Sequence, residues 1–220
     1  MRNREYRSGV SIARTVVERR PHGRAHHLLA VELMKAGQRE EALMHLREAV
    51  NQDPSAHYSL GIELFNNGKF DEAIPHLSAF VRRGSPWGPR EASDVPEKKF
   101  VALTNLGIAL ASTGKADDAI SAFRGALDVD PKNPDAHRNL AKALLDKGDL
   151  KGAALYASQA LELGPGDAEV HNLLGTALAS QRKLDAAIVQ FQQALQIDPT
   201  NAEAQQNLAR ALRERGSAER

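Results

Sequence analysis

The chain has 220 residues, of which 42% are hydrophobic and 5% aromatic, and its formal net charge is +1 at pH 7. A net charge so close to zero provides no global field that would attract nucleic acid or an acidic membrane surface. No apolar run reaches the length that crosses a bilayer, and residues 1–30 lack the apolar core of a signal peptide. The absence of cysteine excludes disulfides and thiolate metal sites. The default expectation is a cytoplasmic protein, or an extracytoplasmic one if the chain follows a membrane region.

Residues 1–22 are predicted to form a basic arm followed by an N-terminal capping helix. Residues 1–24 hold seven Arg against two Glu, which indicates a solvated basic segment. The alternative is an arm that follows a membrane span outside this chain. Ile12, Val16 and Val17 predict a short helix that covers the open side of the first repeat.

The rest of the chain is dominated by an internal period of 34 residues. Four series of residues repeat with this spacing, one of prolines, one of leucines and two of alanines: Pro131, Pro165 and Pro199; Leu106, Leu140, Leu174 and Leu208; Ala119, Ala153 and Ala187; Ala126, Ala160 and Ala194. A fixed period of this length indicates stacked units that bury their faces against their neighbours.

Each unit is predicted to be a pair of helices. Leu103, Leu106 and Leu110 lie three and four residues apart, on one face of a first helix. Gly114 ends that helix, because glycine adopts the left-handed conformation without a Cβ clash. Asp130-Pro131 ends the second helix, because proline cannot continue one and disfavours helical geometry in the residue before it.

The series Leu106-Gly107, Ala119, Phe123, Ala126, Pro131 resembles the tetratricopeptide repeat. The resemblance implies an all-α fold, an α-solenoid in which five helical hairpins with N- and C-terminal capping helices form a right-handed superhelix. We predict one continuous domain, with repeats 1–2 over 23–83, an inserted Gly/Pro-rich loop over 84–99, repeats 3–5 over 100–201, and a capping helix and tail over 202–220. The first two repeats are only 31 residues apart, so the connection at Pro54 is three residues short.

No motif of residues points to catalysis or to a cofactor. The chain has no Gly-rich phosphate loop after a strand and no nucleophile motif. His22 and His26 stand four residues apart and could form a metal pair, but Pro21 and Gly23 disfavour a helix there. The repeat explains the histidines as rings packed between helices, because six of them share two repeat positions: His26, His57, His137 and His171; His45 and His76. We therefore expect no catalytic, cofactor or metal site.

The resemblance implies that first helices line an inner groove, and that a partner binds there. In the N-terminal half of this groove the inward positions are apolar, whereas Asn105, Asn139 and Asn207 repeat in phase and could pair with the backbone of an extended peptide. The predicted binding residues are Val31, Met34, Tyr58, Ile62, Phe65, Asn105, Ile108 and Asn139. The alternative is that the basic arm, or the 84–97 segment with Trp87, covers this surface. Glu169 and Leu173 replace the cations that carboxylate-clamp members need, so no clamp is expected.

We predict a non-catalytic protein–protein interaction scaffold whose partner is a protein or peptide segment and not a nucleic acid. One alternative is a structural module that associates weakly with itself. A second resemblance gives another: Tyr6-Arg7-Ser8, the segment 15–21 and Arg24-Ala25-His26 look like the junction between membrane spans and repeats in bacterial glycosyltransferase-like membrane proteins. That resemblance implies the soluble repeat region of such a protein, with no membrane span in this chain.

Overall fold

The structure is a computed structural model that describes residues 9–83 and 94–218. These residues form α-helices without a strand, which confirms the predicted all-α helical repeat fold. The helices are α1 (Gly9–Arg19), α2 (Gly23–Lys35), α3 (Arg39–Ala49), α4 (Ala56–Asn66), α5 (Phe70–Arg83), α6 (Asp94–Ser112), α7 (Ala116–Val129), α8 (Pro134–Lys147), α9 (Leu150–Leu163), α10 (Ala168–Ser180), α11 (Leu184–Ile197) and α12 (Ala202–Ala218).

The chain divides into two compact units, Met1–Ala109 and Leu110–Arg220. In the first unit α1 packs on α2, and the pairs α2–α3 and α4–α5 form helical hairpins. In the second unit the hairpins are α8–α9 and α10–α11, and α12 packs on both helices of the latter. The boundary falls inside α6. The expectation of one continuous domain stays a prediction.

The turns that follow α2, α4, α6 and α8 have the predicted conformation. Gly37, Gly68, Gly114 and Gly148 have φ between 71° and 86°, the left-handed conformation that ends a helix without a Cβ clash. Arg182 stands at the corresponding turn of the α10–α11 hairpin and also has a positive φ, of 65°. A side chain at this position carries strain that the glycines avoid.

Replacement of Arg182 by glycine is therefore expected to raise the free energy of unfolding by about 0.5–1 kcal/mol. The exposed ion pair of Arg182 with Glu214, at 3.5 Å, contributes little and its loss does not offset this gain. Chemical denaturation measures the change. Arg182→Ala is the control, because it removes the ion pair but keeps the strained backbone; equal stability of the two variants would contradict the prediction.

Small residues mark close contacts between the helices. A Cβ on Gly61 would lie 2.8 Å from Leu77 Cδ2, and one on Gly175 would lie 2.6 Å from Phe191 Cε1. The alanines of the second helices are fully buried: Ala42, Ala73, Ala119, Ala153 and Ala187. First and second helices of one hairpin thus approach within side-chain contact only because these positions carry little or no side chain.

The last six residues of the predicted loop are helical. We predicted irregular structure over 84–99, but α6 begins at Asp94, so residues 94–99 are helical. Pro96 lies within the first turn of α6, where a missing N–H costs no helical hydrogen bond. Residues 84–93, which include Trp87, lie outside the described residues, as do residues 1–8 of the basic arm, so the prediction that either segment covers the inner surface stays untested.

Both capping helices form, and the side chains that they bury are small. On α1 the buried residue is Ala13, whereas Ile12 and Val16 are 53% and 41% exposed. On α12 the buried residues are Ala204 and Ala211, whereas Leu212 is exposed. In each case the small residue lets the capping helix lie close to its neighbour, and the larger side chains then point away from the contact.

Candidate functional site

The predicted binding residues of the first unit lie on three first helices. Val31 and Met34 are on α2, Tyr58, Ile62 and Phe65 are on α4, and Asn105 and Ile108 are on α6; all seven are partly exposed. None of them belongs to the buried core, which the Leu positions of the same helices supply: Leu29, Leu33, Leu60, Leu64, Leu103 and Leu106. The first helices of this unit therefore keep apolar side chains partly in contact with solvent.

Two of the aromatic residues also stabilise their own hairpin. The Tyr58 ring lies 5.0 Å from that of Phe80, and the Phe65 ring lies 5.4 Å from that of Phe70. Burial, and then the Glu97 carboxylate, raises the pKa of Tyr58. Of the seven residues, Val31, Met34, Ile62 and Ile108 are the partly exposed apolar ones without an aromatic ring.

The corresponding positions of the second unit are polar and satisfy one another. Arg138 on α8 contacts Asp167 at 2.8 Å, and Lys142 contacts Glu169 at 3.6 Å. The Asn207 amide donates to Asn172 Oδ1 at 3.0 Å. The Asn207 amide is thus already hydrogen-bonded within the second unit. The repeat position of Asn207 had suggested that it could bind a peptide backbone.

Asn139 is the one predicted binding residue in the second unit, and it is partly exposed on α8. Its neighbours Arg138 and Lys142 are engaged by carboxylates of α10 or of the same helix. A carboxylate ligand at this position would have to displace these ion pairs.

A hydrogen-bonded chain that the sequence pattern did not reveal joins α2 to the start of α4. His27 contacts Asp53 Oδ2 through Nδ1 at 2.8 Å and Ser59 Oγ through Nε2 at 3.0 Å. Ser55 donates from its backbone N–H and its hydroxyl to Asp53 Oδ1. Burial alone would raise the pKa of the Asp53 carboxyl, but the hydrogen bonds from Ser55 and His27 outweigh burial and hold this pKa below its ordinary value.

The order serine, histidine, aspartate matches the arrangement of a nucleophile, its base and an orienting carboxylate. Acyl transfer also requires N–H donors aimed at the developing oxyanion. At the start of α4 the backbone N–H groups of residues 56–58 already donate to the carbonyls of residues 53–55. We therefore interpret these hydrogen bonds between His27, Asp53, Ser55 and Ser59 as a structural link across the shortened connection between α3 and α4.

Histidine pairs occur at one position of each hairpin in the first unit. His26 on α2 and His45 on α3 approach to 2.9 Å between their Nδ1 atoms, and His57 on α4 and His76 on α5 do the same. Burial, and then the His26 ring, lowers the pKa of His45; burial, and then Arg47, lowers the pKa of His76. The sequence grouped these histidines by repeat position but did not show that the two groups meet.

His22 takes no part in these pairs, since it precedes α2 and its Nδ1 accepts the Ala25 N–H. Among residues 9–83 and 94–218, no group of three or more His, Asp or Glu side chains is arranged to hold a metal ion. In the same part of the chain no helix combines the length and the apolarity that a membrane span requires.

A shallow hollow on the first unit lies away from the predicted surface. It is bordered by the α2–α3 turn and by α3, and its lining mixes charges of both signs with the apolar Leu43 and Met44: Gly37, Gln38, Arg39, Glu40, Glu41, Leu43, Met44, Arg47 and Lys69. The hollow contains none of the eight predicted residues. Open, charged depressions of this kind lack the apolar enclosure that is typical of small-molecule sites.

Comparison with protein families assigns the chain. The family profile described as "Tetratricopeptide repeat" matches residues 27–86 and 104–168, and one described as "TPR repeat" matches residues 175–216. The chain belongs to the tetratricopeptide repeat family. No curated protein sequence matches it significantly. Tetratricopeptide repeats are typically non-catalytic modules whose stacked helices present extended binding surfaces.

Solved tetratricopeptide structures resemble the chain at low sequence identity. YrrB, "a TPR protein with an unusual peptide-binding site", gives a TM-score of 0.77 at 18% identity over 90% of this chain and 97% of its own. MamA from Desulfovibrio magneticus RS-1 gives a TM-score of 0.65 at 20% identity over 82% of this chain and 97% of its own. Both show the fold alone.

A third structure matches a shorter part of the chain at higher identity. The first TPR of Spaghetti (RPAP3), bound to the HSP90 peptide SRMEEVD, gives a TM-score of 0.53 at 25% identity over 54% of this chain and 94% of its own. None of these three structures concerns a membrane glycosyltransferase-like protein, so that weaker resemblance stays a prediction.

Proposed function

We propose that this tetratricopeptide protein is an interaction scaffold, and that its first unit binds an extended peptide or protein segment on the inner surface of α2, α4 and α6. The observation that carries the proposal is the set of partly exposed apolar side chains at inward positions: Val31, Met34, Ile62 and Ile108. The buried leucines of these helices already form the core. An apolar segment of a partner would bury the remaining surface, and this burial is favourable.

Polar groups on α6 supply hydrogen bonds to a bound backbone. Asn105 offers an amide that both donates and accepts, so it can pair with the N–H and the C=O of one residue of an extended peptide. Asn139 holds the same repeat position on α8, and we assign it the same role for a segment bound to the second unit.

Spaghetti (RPAP3) supports the class of ligand, because its repeats bind a peptide from HSP90 and are 25% identical to this chain over the matched part. The mode of binding is expected to differ from capture of a terminal carboxylate. The inward cations Arg138 and Lys142 are already paired with Asp167 and Glu169. Affinity therefore rests on the apolar surface of the first unit.

The test is a selection of phage-displayed random peptides on the full chain, followed by measurement of Kd for a selected peptide. Met34→Glu is expected to weaken binding about 30-fold, since truncating or charging a central apolar contact costs about 2 kcal/mol or more. Met44→Glu is the matched control: it makes the same change on α3, where Met44 is 59% exposed and borders the hollow.

Equal loss of affinity in the two variants, or loss in Met44→Glu alone, would move the binding site to the hollow. Failure to select any peptide would contradict the proposal. Thermal unfolding of both variants is measured alongside, and because both methionines are at least partly exposed, neither midpoint is expected to fall by more than a few degrees.

A further inference from the structure

The two histidine pairs of the first unit are nearly identical in geometry. The ring centroids of His26 and His45 are 5.1 Å apart with an interplanar angle of 39°, and those of His57 and His76 are 5.2 Å apart at 34°. In both pairs the Nδ1 atoms face each other at 2.9 Å. All four rings are partly exposed, so solvent reaches them.

We propose that each pair, His26 with His45 and His57 with His76, is a two-histidine site for a divalent transition-metal ion of the Cu²⁺ or Ni²⁺ class. Neutral imidazole nitrogens are the ligands that such ions prefer, and a ring pair that faces through two nitrogen lone pairs holds one proton or one metal ion between them. The chain would thus carry two equivalent sites, one in each hairpin of the first unit.

The distance between the nitrogens indicates which ions fit. With metal–nitrogen bonds of about 2.0–2.1 Å, two adjacent ligands of a square-planar ion are about 2.9 Å apart, whereas in a tetrahedral site they are about 3.3 Å apart. The observed 2.9 Å equals the nitrogen–nitrogen separation of the square-planar arrangement. Water completes the coordination, because the described residues place no third His, Asp or Glu ligand at either pair.

The charges around the pairs also repeat. Glu41 precedes His45 by one helical turn and is held by Arg14 at 2.6 Å; Glu72 precedes His76 in the same way and is held by Arg47 at 3.2 Å. The charge of Glu48 also favours a cation at His45, because it opposes the lowering of this ring's pKa by burial. Each pair thus lies beside a carboxylate that is ion-paired with an arginine.

The second unit contains natural controls at the same repeat positions. In the hairpins of the second unit the two paired residues are again 19 positions apart, but the partner of each histidine is not a second histidine. His137 lies 5.9 Å from the Tyr156 ring, and His171 Nδ1 contacts Gln190 Oε1 at 2.8 Å. A His–Gln pair therefore preserves the packing and a hydrogen bond of this position but removes one metal ligand.

Calorimetric titration of the full chain with Cu²⁺ or Ni²⁺ in a non-coordinating buffer tests the proposal. The wild type is expected to bind two ions, His45→Gln and His76→Gln one ion each, and the double variant none. Circular dichroism is expected to show unchanged helicity, since each substitution recreates the pair that His171 and Gln190 form. His22→Gln is the control outside the pairs and is expected to keep two ions.

Two results would overturn the proposal. The first is a wild type that binds no ion, which would mean that each 2.9 Å contact is an imidazole–imidazole hydrogen bond only. The second is a double variant that keeps the stoichiometry of the wild type, which would place the ions elsewhere. For Cu²⁺, electron paramagnetic resonance adds a direct readout, because two bound imidazoles give nitrogen hyperfine structure that is lost in the double variant.

Discussion

Replacement of Phe191 by alanine is expected to destabilise the protein by about 3–5 kcal/mol, the range for removing a fully buried aromatic ring. Phe191 on α11 is completely buried, and its ring fills the space that Gly175 on α10 leaves open. The ring also packs in a core cluster with Ile188 and with Ala211 of the C-terminal capping helix. Its removal opens a cavity at the point where three helices of the second unit meet.

Urea denaturation of the full chain measures this loss. Val189→Ala on the same helix is the matched control, because Val189 is 50% exposed and its truncation is expected to change stability by less than about 0.5 kcal/mol. Gly175→Ala adds a second check. Its new Cβ is expected to clash with the Phe191 ring in the wild type but to be tolerated beside alanine, so the two changes are non-additive. Additive effects would show that the ring does not fill this gap.

Replacement of Asp53 by alanine is expected to have the next largest effect, a loss of about 2–3 kcal/mol. The Asp53 side chain is 2% exposed and accepts hydrogen bonds from Ser55 and His27. Its removal leaves buried donors without a partner, and such donors cost about 1–3 kcal/mol. Asp53→Asn is the control: its amide can accept from Ser55 and donate to His27, so it is expected to lose less than the alanine variant.

The Asp53 contribution also has a defined pH dependence. Because the pKa of Asp53 in the folded protein is lower than its ordinary value, the unfolded chain binds the proton more readily. The stability that Asp53 provides is therefore complete above a pH of about 4 and declines as the pH falls through the folded-state pKa. The difference between wild type and Asp53→Ala, measured by denaturation from pH 7 to 3, is expected to narrow at the acidic end. A constant difference would contradict the charged network.

Much of the frame follows from the sequence because it depends on local rules. Apolar residues at three- and four-residue steps define the helices, and Leu140 and Ala153 are buried where the 34-residue period places them. Glycine marks the hairpin turns through its backbone freedom. Arg182 replaces the glycine at one of these turns, yet the turn keeps its left-handed conformation, since the helices on either side impose it on whichever residue occupies the position.

The side-chain networks escape a period-based analysis because they join residues of different helices. His27 and Asp53 are 26 residues apart, and the paired histidines are 19 apart. Such contacts depend on how one helix is rotated against the next, which the period alone does not specify. The recurrence of a 19-residue spacing in two consecutive repeats is the signal that points to the histidine pairs.

The apolar pattern of the sequence also did not predict which residues of the capping helices are buried. Ile12 and Val16 were expected to be buried because they are apolar, but α1 rests on α2 through Ala13. At a single-sided contact the closest approach is decided by side-chain size, and the small residue takes the interface. Repeated helices show this less, because neighbours on both sides bury large and small residues together.

The central claim is that the inner surface of the first unit binds a peptide. Backbone amide shifts of the ¹⁵N-labelled chain, recorded during titration with a peptide selected by phage display, test it most directly. The proposal predicts that the largest shifts fall on α2 and α4 around Met34 and Ile62, while α3 near Met44 changes little. Shifts confined to α3, or to the second unit, would contradict it.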